Sequence, residues 1–444
     1  MSPHVTVVGA GLAGAEAAWQ IARAGVRVTL IEMKPDRYSD AHREPFFAEL
    51  VCSNSLRSDQ LENAVGLLKQ EMREMGSLIL SSADLTRVPA GGALAVDRTE
   101  FSRLVTERLN SHPNIHVVRQ EVHAIPEDDV VVIATGPLTD GDLFADICRL
   151  TGAETLHFFD AAAPIVTADS IDRSIAFAMS RYGKGGDDYI NCPLNEEEYE
   201  LFWNALTNAE LAEVKDFDKE TVFEGCMPIE TMAKRGRDTI RFGPLKPVGL
   251  IDPRTEREPY ACVQLRQDDR SASLYNIVGF QTRLRHPEQI RVFRMIPGLQ
   301  NAEFARLGVM HRNTFLDSPR LLNSHYEFRG RPGLFFAGQM TGVEGYVESA
   351  GSGFLAGLYA AAAARGEELP FSFADNTILG AMAAYISDPA VTSFQPMNAN
   401  FGLIAPLEHR IRKKREKNMA YAERSLARIA EAKETLSLFF QESR

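Results

Sequence analysis

The chain has 444 residues, 45% hydrophobic and 24% charged, which is ordinary globular material with room for two or three domains and their own cores. Its net charge of -12 argues against a nonspecific nucleic-acid coat, since phosphate binding rests on Lys and Arg, yet leaves room for a local basic face. Five cysteines, at positions 52, 148, 192, 226 and 262, are odd in number and lack CxxC spacing or a neighbouring histidine pair, which argues against a disulfide framework and a metal site.

The opening residues MSPHVTVVGAG enter a strand directly, without a basic leader or cleavable apolar stretch, and no window approaches the ~20 apolar residues of a membrane span. A cytoplasmic protein with reduced thiols and no membrane association is expected. Val5 to Glu32 reads as strand, glycine turn, alanine-rich helix and second strand, a βαβ unit. Within it Gly9, Ala10, Gly11, Leu12, Ala13 and Gly14 follow the strand and open the helix. Gly9 can make the tight turn, Gly11 can admit a pyrophosphate and Gly14 can permit close packing. Glu32 closes the second strand about 20 residues later, where a carboxylate can accept from ribose hydroxyls. The bland alternative is a glycine turn kept for packing alone.

Cys52, in FAELVCSNSLRSD, reads from its neighbours as a small buried hydrophobe ahead of capping residues. VVVIATGP, from Val130 to Pro137, reads as a further buried parallel strand of the same sheet. After it come alternating segments such as DTIRFGPLKPVGL and ACVQLRQDDRSASLYNIVGF, expected as antiparallel strands of an inserted domain. Cys226 lies there in FEGCMPIETMAKRG, between a glycine and a Met-Pro pair and just before Lys234, Arg235 and Arg237. It is either core filling or a thiol activated by cationic neighbours. Cys148, Cys192 and Cys262 read as structural. Arg283, Arg285, Arg291 and Arg294 are interleaved with aromatic and amide residues, which suits an RNA or phosphate-bearing partner as well as a solvated face. His311, Arg312 and Asn313 stand where the chain returns to the first domain and form a natural ligand wall.

The block from Gly333 to Gly366 repeats the pattern of strand, glycine turn and alanine-rich helix, with the helix expected near Val347 or Glu348. It supplies a second cofactor wall, with Gly338, Gln339 and Gly351 expected at the cofactor, and so favours FAD over NAD. A helix N-terminus after Gly345 can face the flavin pyrimidine edge. With a single complete fingerprint, NADH or NADPH is expected to visit and leave. The tail from Leu407 is helical by pattern and opens on a basic run at Arg410, Arg412, Lys413, Lys414 and Arg415. The expected fold is α/β: a Rossmann-type, glutathione-reductase-like FAD-binding domain with an inserted mixed α+β domain and a C-terminal helical tail. Residues 1–155 and 316–444 form the first domain, and 156–315 form the insert.

Taken together, GAGLAGAEAAW, FAELVCSNSLRS, NAVGLLKQEMR, VPAGGALAVDR, FEGCMPIE, RFGPLKPVGL, GVMHRNT and FFAGQMTGVEGYVESAGSGFLAG resemble the bacterial folate- and FAD-dependent tRNA (uracil-5-)-methyltransferases. More distantly the chain resembles the larger flavoproteins that modify the tRNA wobble uridine with a partner protein. Those carry a long helical extension for which there is little room after Gly366. The resemblance implies methylation of the T-loop uridine at tRNA position 54 to 5-methyluridine, with carbon from 5,10-methylenetetrahydrofolate and reducing equivalents from NAD(P)H through FAD. It implies Cys226 as nucleophile at uracil C6 and Cys52 as the base at C5. It leaves His311 a candidate pterin neighbour and Arg283 and Arg285 candidate tRNA contacts, with no obligate protein partner. Two rival expectations are an FAD-dependent oxidoreductase of a small molecule and an RNA-binding protein with structural FAD.

Overall fold

The computed structural model describes residues 2–152, 156–183, 186–212, 221–222 and 227–441. Five short strands form a parallel sheet in the order Leu334–Phe336, Val131–Ile133, His4–Val8, Arg27–Glu32, Ile115–Arg119. Val5, Val7, Val132, Ile133 and Phe336 are inaccessible to solvent, as β-branched and aromatic side chains of a sheet covered on both faces must be. The sheet is begun by the first residues and finished by a strand near residue 335, as the two glycine-turn blocks predict.

The first helix, Leu12–Arg23, follows the central strand, and the late helix, Tyr346–Arg365, follows the edge strand Leu334–Phe336. Because the strands are parallel, both helices start at the same end of the sheet. The two helices pack on each other through small residues. A Cβ on Gly353 would lie 2.1 Å from the Ala13 carbonyl oxygen, and one on Gly357 would lie 2.7 Å from that of Ala17. Backbone therefore meets backbone, a spacing no larger residue allows.

A second sheet has six strands, antiparallel throughout, in the order Phe177–Ala178, Tyr189–Leu194, Ala261–Gln267, Leu274–Ile277, Ile165–Thr167, Phe304–Arg306. Its core includes Tyr199, Phe202, Phe280 and Phe293. The expected strand pair in ACVQLRQDDRSASLYNIVGF is present, with Leu265 opposite Ile277. DTIRFGPLKPVGL is not a strand: it forms the short helix Thr239–Phe242 and then turns, because Gly243, Pro244 and Pro247 interrupt any ladder. The chain passes between the two sheets along neighbouring strands, Leu156–Ala161 and Met310–Phe315, paired antiparallel from Leu156 opposite Phe315 to Ala161 opposite Met310.

The tail helix runs from Lys414 to Gln441, later than its pattern suggests. Arg410, Arg412 and Lys413 lie in the exposed segment before it, while Lys414 and Arg415 open the helix with Glu416 in its first turn. Glu71, on the helix Ala64–Glu74, holds this region together. Its carboxylate accepts from Ile378 N at 2.7 Å, Leu379 N at 2.9 Å and the Ser425 hydroxyl at 2.5 Å. Burial pushes its pKa up to about 7 against those bonds. No helix among the described residues is long and apolar enough to cross a membrane.

Gly353→Val places two methyl groups where the Ala13 carbonyl stands. A loss of about 3 kcal/mol is expected, read as a lower urea midpoint with an unchanged slope.

Candidate cofactor cleft and catalytic seam

A cleft opens at the carboxyl end of the parallel sheet, between the N-termini of the first and late helices. Gly9 turns the chain with φ of +93°, and a Cβ there would lie 2.6 Å from the Ala134 oxygen. A Cβ on Gly14 would lie 1.8 Å from the Gly9 oxygen, so strand and helix touch. Gly11 differs: nothing lies within 4 Å of its Cβ position. The first N–H groups of the helix are thus left open to an anion, with Leu12 and Ala13 along the same wall.

Glu32 closes the second strand and is 6% exposed. One carboxylate oxygen accepts from Ala10 N at 2.7 Å and the other from Lys34 N at 3.0 Å. A carboxylate offers about four acceptor positions, so the pair of backbone bonds fixes the group and leaves lone pairs for ribose hydroxyls. On the far wall stand Asn313, Gly338, Gln339, Tyr346 and Ser349. Gly338 N donates to the Ser352 hydroxyl at 2.7 Å, and the Gln339 amide donates to Glu344. Gly351, expected at the cofactor, faces the other way, its Cβ position 3.2 Å from Leu379 and close to Leu68 and Met72. Ser349 lines the cleft, and two residues on the helix has turned about 200°.

Cys52 lies beside this cleft and is only half-buried, unlike the core hydrophobe its neighbours in sequence suggest. Its N–H and that of Ser53 donate to the Tyr346 phenol oxygen at 2.7 and 3.2 Å. Its Sγ lies 3.5 Å from the Ala161 carbonyl oxygen, at the end of a crossing strand. Tyr346 gave no signal in the sequence beyond a place near a predicted helix start, because its partner is remote in the chain. The same holds for Arg98, Arg266 and Arg306, which reach the Cys52 loop from three separate elements.

Cys226 falls outside the described residues, and the chain resumes at Met227. The helix Ile229–Lys234 that follows is tied to the arginine segment. Ile229 N donates to Gln281 O at 2.7 Å, and Glu230 accepts from the Thr282 hydroxyl at 2.8 Å and Arg283 N at 2.9 Å. Burial raises the Glu230 pKa, and those bonds oppose the rise. Arg285 pairs with Glu210 at 3.0 Å, Arg291 with Glu288 at 2.7 Å, and Arg294 donates to Ala302 O at 2.9 Å. The Arg285 and Arg291 pairs lie at the surface, where such pairs are weak and leave the guanidinium groups half exposed. His311 lies on the crossing strand with its backbone opposite Asp160. Cys192 and Cys262 are fully buried, and desolvation lifts the Cys262 thiol to about 12 and the Cys192 thiol further still. No His, Cys, Asp and Glu grouping able to hold a metal ion occurs among the described residues.

This is the arrangement of a Rossmann-type FAD-binding protein interrupted by a second, antiparallel sheet. The chain belongs to the glucose inhibited division protein A family, whose model matches residues 4–368. It is 60% identical over 431 residues to the methylenetetrahydrofolate–tRNA-(uracil-5-)-methyltransferase TrmFO of Acetivibrio thermocellus, covering 97% of this chain and 99% of that one. The protein of the same name from Geobacter sulfurreducens is 60% identical over 430 residues, covering 97% and 98%. Among solved structures, Aquifex aeolicus GidA in its form II crystal shares the fold, with a TM-score of 0.71 at 18% identity over 99% of this chain and 76% of that one.

Glu32→Ala removes the acceptor of Ala10 N and the carboxylate that the sequence assigns to ribose hydroxyls. FAD affinity is expected to fall by roughly 10- to 100-fold, the worth of one or two hydrogen bonds to a charged group, measured by equilibrium dialysis against free flavin.

Proposed function

We propose that the chain methylates uridine 54 in the T-loop of tRNA to 5-methyluridine, with 5,10-methylenetetrahydrofolate as carbon donor and NADH or NADPH as reductant through FAD. The observation that carries this reading is the full-length identity to relatives of that named activity. A half-buried cysteine at the junction of a dinucleotide cleft with an inserted sheet supports it. On this reading residues 1–155 and 316–444 hold FAD, and residues 156–315 present the tRNA.

Gly9 to Gly14, Glu32, Gly338 and Gln339 hold the flavin nucleotide. The reduced flavin supplies a hydride equivalent. Uracil C5 is a weak nucleophile until a thiolate adds at C6, and Cys226 is the thiol assigned to that addition. The resulting enolate takes the one-carbon unit at C5. Cys52 then removes the C5 proton, and the electron pair released expels tetrahydrofolate from the one-carbon unit; hydride added to the exocyclic methylene so formed gives the methyl group and returns the C6–sulfur electron pair to Cys226 as it leaves. Asn313 and His311 border the folate, and Arg283 and Arg285 flank the tRNA beside the helix that follows Cys226. Extruding the buried T-loop base costs a few kcal/mol, offset by phosphate contacts.

The test incubates unmodified tRNA with the FAD-loaded protein, NADPH and methylene-labelled folate, then digests the RNA. Labelled 5-methyluridine is expected from the wild type and none from Cys226→Ala, while Cys52→Ser lowers kcat by about 10²-fold or more. A flavin that NADPH reduces without any label reaching RNA would point instead to a small-molecule oxidoreductase.

A further inference from the structure

The loop that carries Cys52 is held by three guanidinium groups from three parts of the chain. Arg98, at the start of the helix Arg98–Ser111, donates to Leu50 O. Arg306, ending the strand Phe304–Arg306, donates to Val51 O. Arg266, on Ala261–Gln267, donates to the Ser53 hydroxyl at 2.6 Å and to Asn54 Oδ1 at 3.1 Å. Residues 50 to 54 are thus bonded by guanidinium on both sides of the thiol.

The charge balance is uneven. Arg98 has a carboxylate partner, Asp268, at 3.0 Å, and both side chains are nearly buried. Arg266 is 7% exposed, and its described partners are all neutral: Ser53, Asn54 and Asn276. Arg306 bonds a carbonyl. The other charged or titratable groups around the loop are Glu49, which pairs with Lys34 at 3.3 Å, the Tyr346 phenol on the late helix, and Tyr189 beside Arg266. In the ladder next to Ala161 the backbone of Asp160 lies opposite that of His311. Asp268 also acts on Arg266 and Glu49 on Arg306, so the three guanidinium groups and Lys34 share two carboxylates; burying cations in excess of counter-charge is unfavourable, and a hydrophobic or amide residue would hold a loop at lower cost. An anion arising at Cys52 compensates the excess. Electrostatic coupling between Cys52 and each of Arg98, Arg266 and Arg306 has the sign that stabilises such a pair.

We propose that Arg266 and Arg306 are positioning residues for Cys52, fixing its loop against Tyr346 and supplying the positive field in which its sulfur works as a thiolate. This deepens the proposed function, since it rests on Cys52 as the base at uracil C5. A thiolate is the form that takes a proton, and a positive surround keeps it available near neutral pH. The sequence hides the arrangement because the three arginines are scattered through the first 306 residues.

The test reads the thiol directly, without tRNA or folate. FAD-loaded wild type, Arg306→Met, Arg306→Lys and Arg266→Met are treated with iodoacetamide from pH 6 to 9, and modification of the Cys52 peptide is timed by mass spectrometry. At pH 7 the rate is expected to fall about tenfold in each methionine variant, with the pH profile displaced upward, while Arg306→Lys stays near wild type. A uniform rise in rate at every pH, meaning a loosened loop and nothing more, would overturn the proposal, as would unchanged profiles in both methionine variants. If Arg266→Met loses its flavin, Arg306→Met, at the less buried site, decides alone. Failure of the wild type to label tRNA would remove the proposed reaction but would leave this alkylation result standing, so the two failures are distinguishable.

Discussion

The contact on which the molecule depends is the meeting of the first and late helices through Gly353 and Gly357. Those positions let the late helix lie directly on the backbone of Ala13 and Ala17. With side chains of ordinary size the axes would separate by an ångström or more, and the cleft between the two helix N-termini would widen with them. The cofactor walls come from opposite ends of the chain, so their spacing has no local determinant. It is set by that glycine contact and by the parallel sheet beneath it.

The joint between the sheets is polar. Asn54 donates to Gln267 O at 2.9 Å, Arg98 pairs with Asp268, Arg270 N donates to Asp97 at 2.9 Å, and Tyr189 donates to Ala90 O at 3.1 Å. Such bonds add little net stability each, but they are directional. A hydrophobic joint tolerates sliding, whereas a set of hydrogen bonds made by named partners has one register. Cys52 lies in that joint, and its position relative to the cleft is as well defined as the bonds that surround it.

How far the site can be read from the sequence follows from the range of the interactions. The glycine turn, Glu32 and both strand-turn-helix blocks are local patterns, and the structure has them where the residues predict. The Asp238–Leu250 stretch has the apolar alternation of a strand, but its glycines and prolines interrupt any ladder, and it forms a short helix and turns. Gly351 misleads because a glycine within a glycine-rich block looks equivalent to its neighbours until helical phase separates Ser349 from it. The surface pairs of Arg285 with Glu210 and Arg291 with Glu288 are likewise invisible in the sequence, since only folding brings Glu210 beside Arg285.

The environment of Cys52 shows why residue chemistry and residue neighbourhood must be kept apart. In the sequence Leu50 and Val51 precede it, which suggests burial in a core. In space the same pair supplies the carbonyl oxygens that are the acceptors of Arg98 and Arg306. The backbone of an apolar segment is as polar as any other. Leu50 anchors the loop in the first core, while its main chain meets Arg98 of the first domain and Arg306 of the second sheet. A half-buried thiol set between those two layers has a hydrophobic core on one side and positive charge on the other, the environment in which a cysteine's thiolate is favoured.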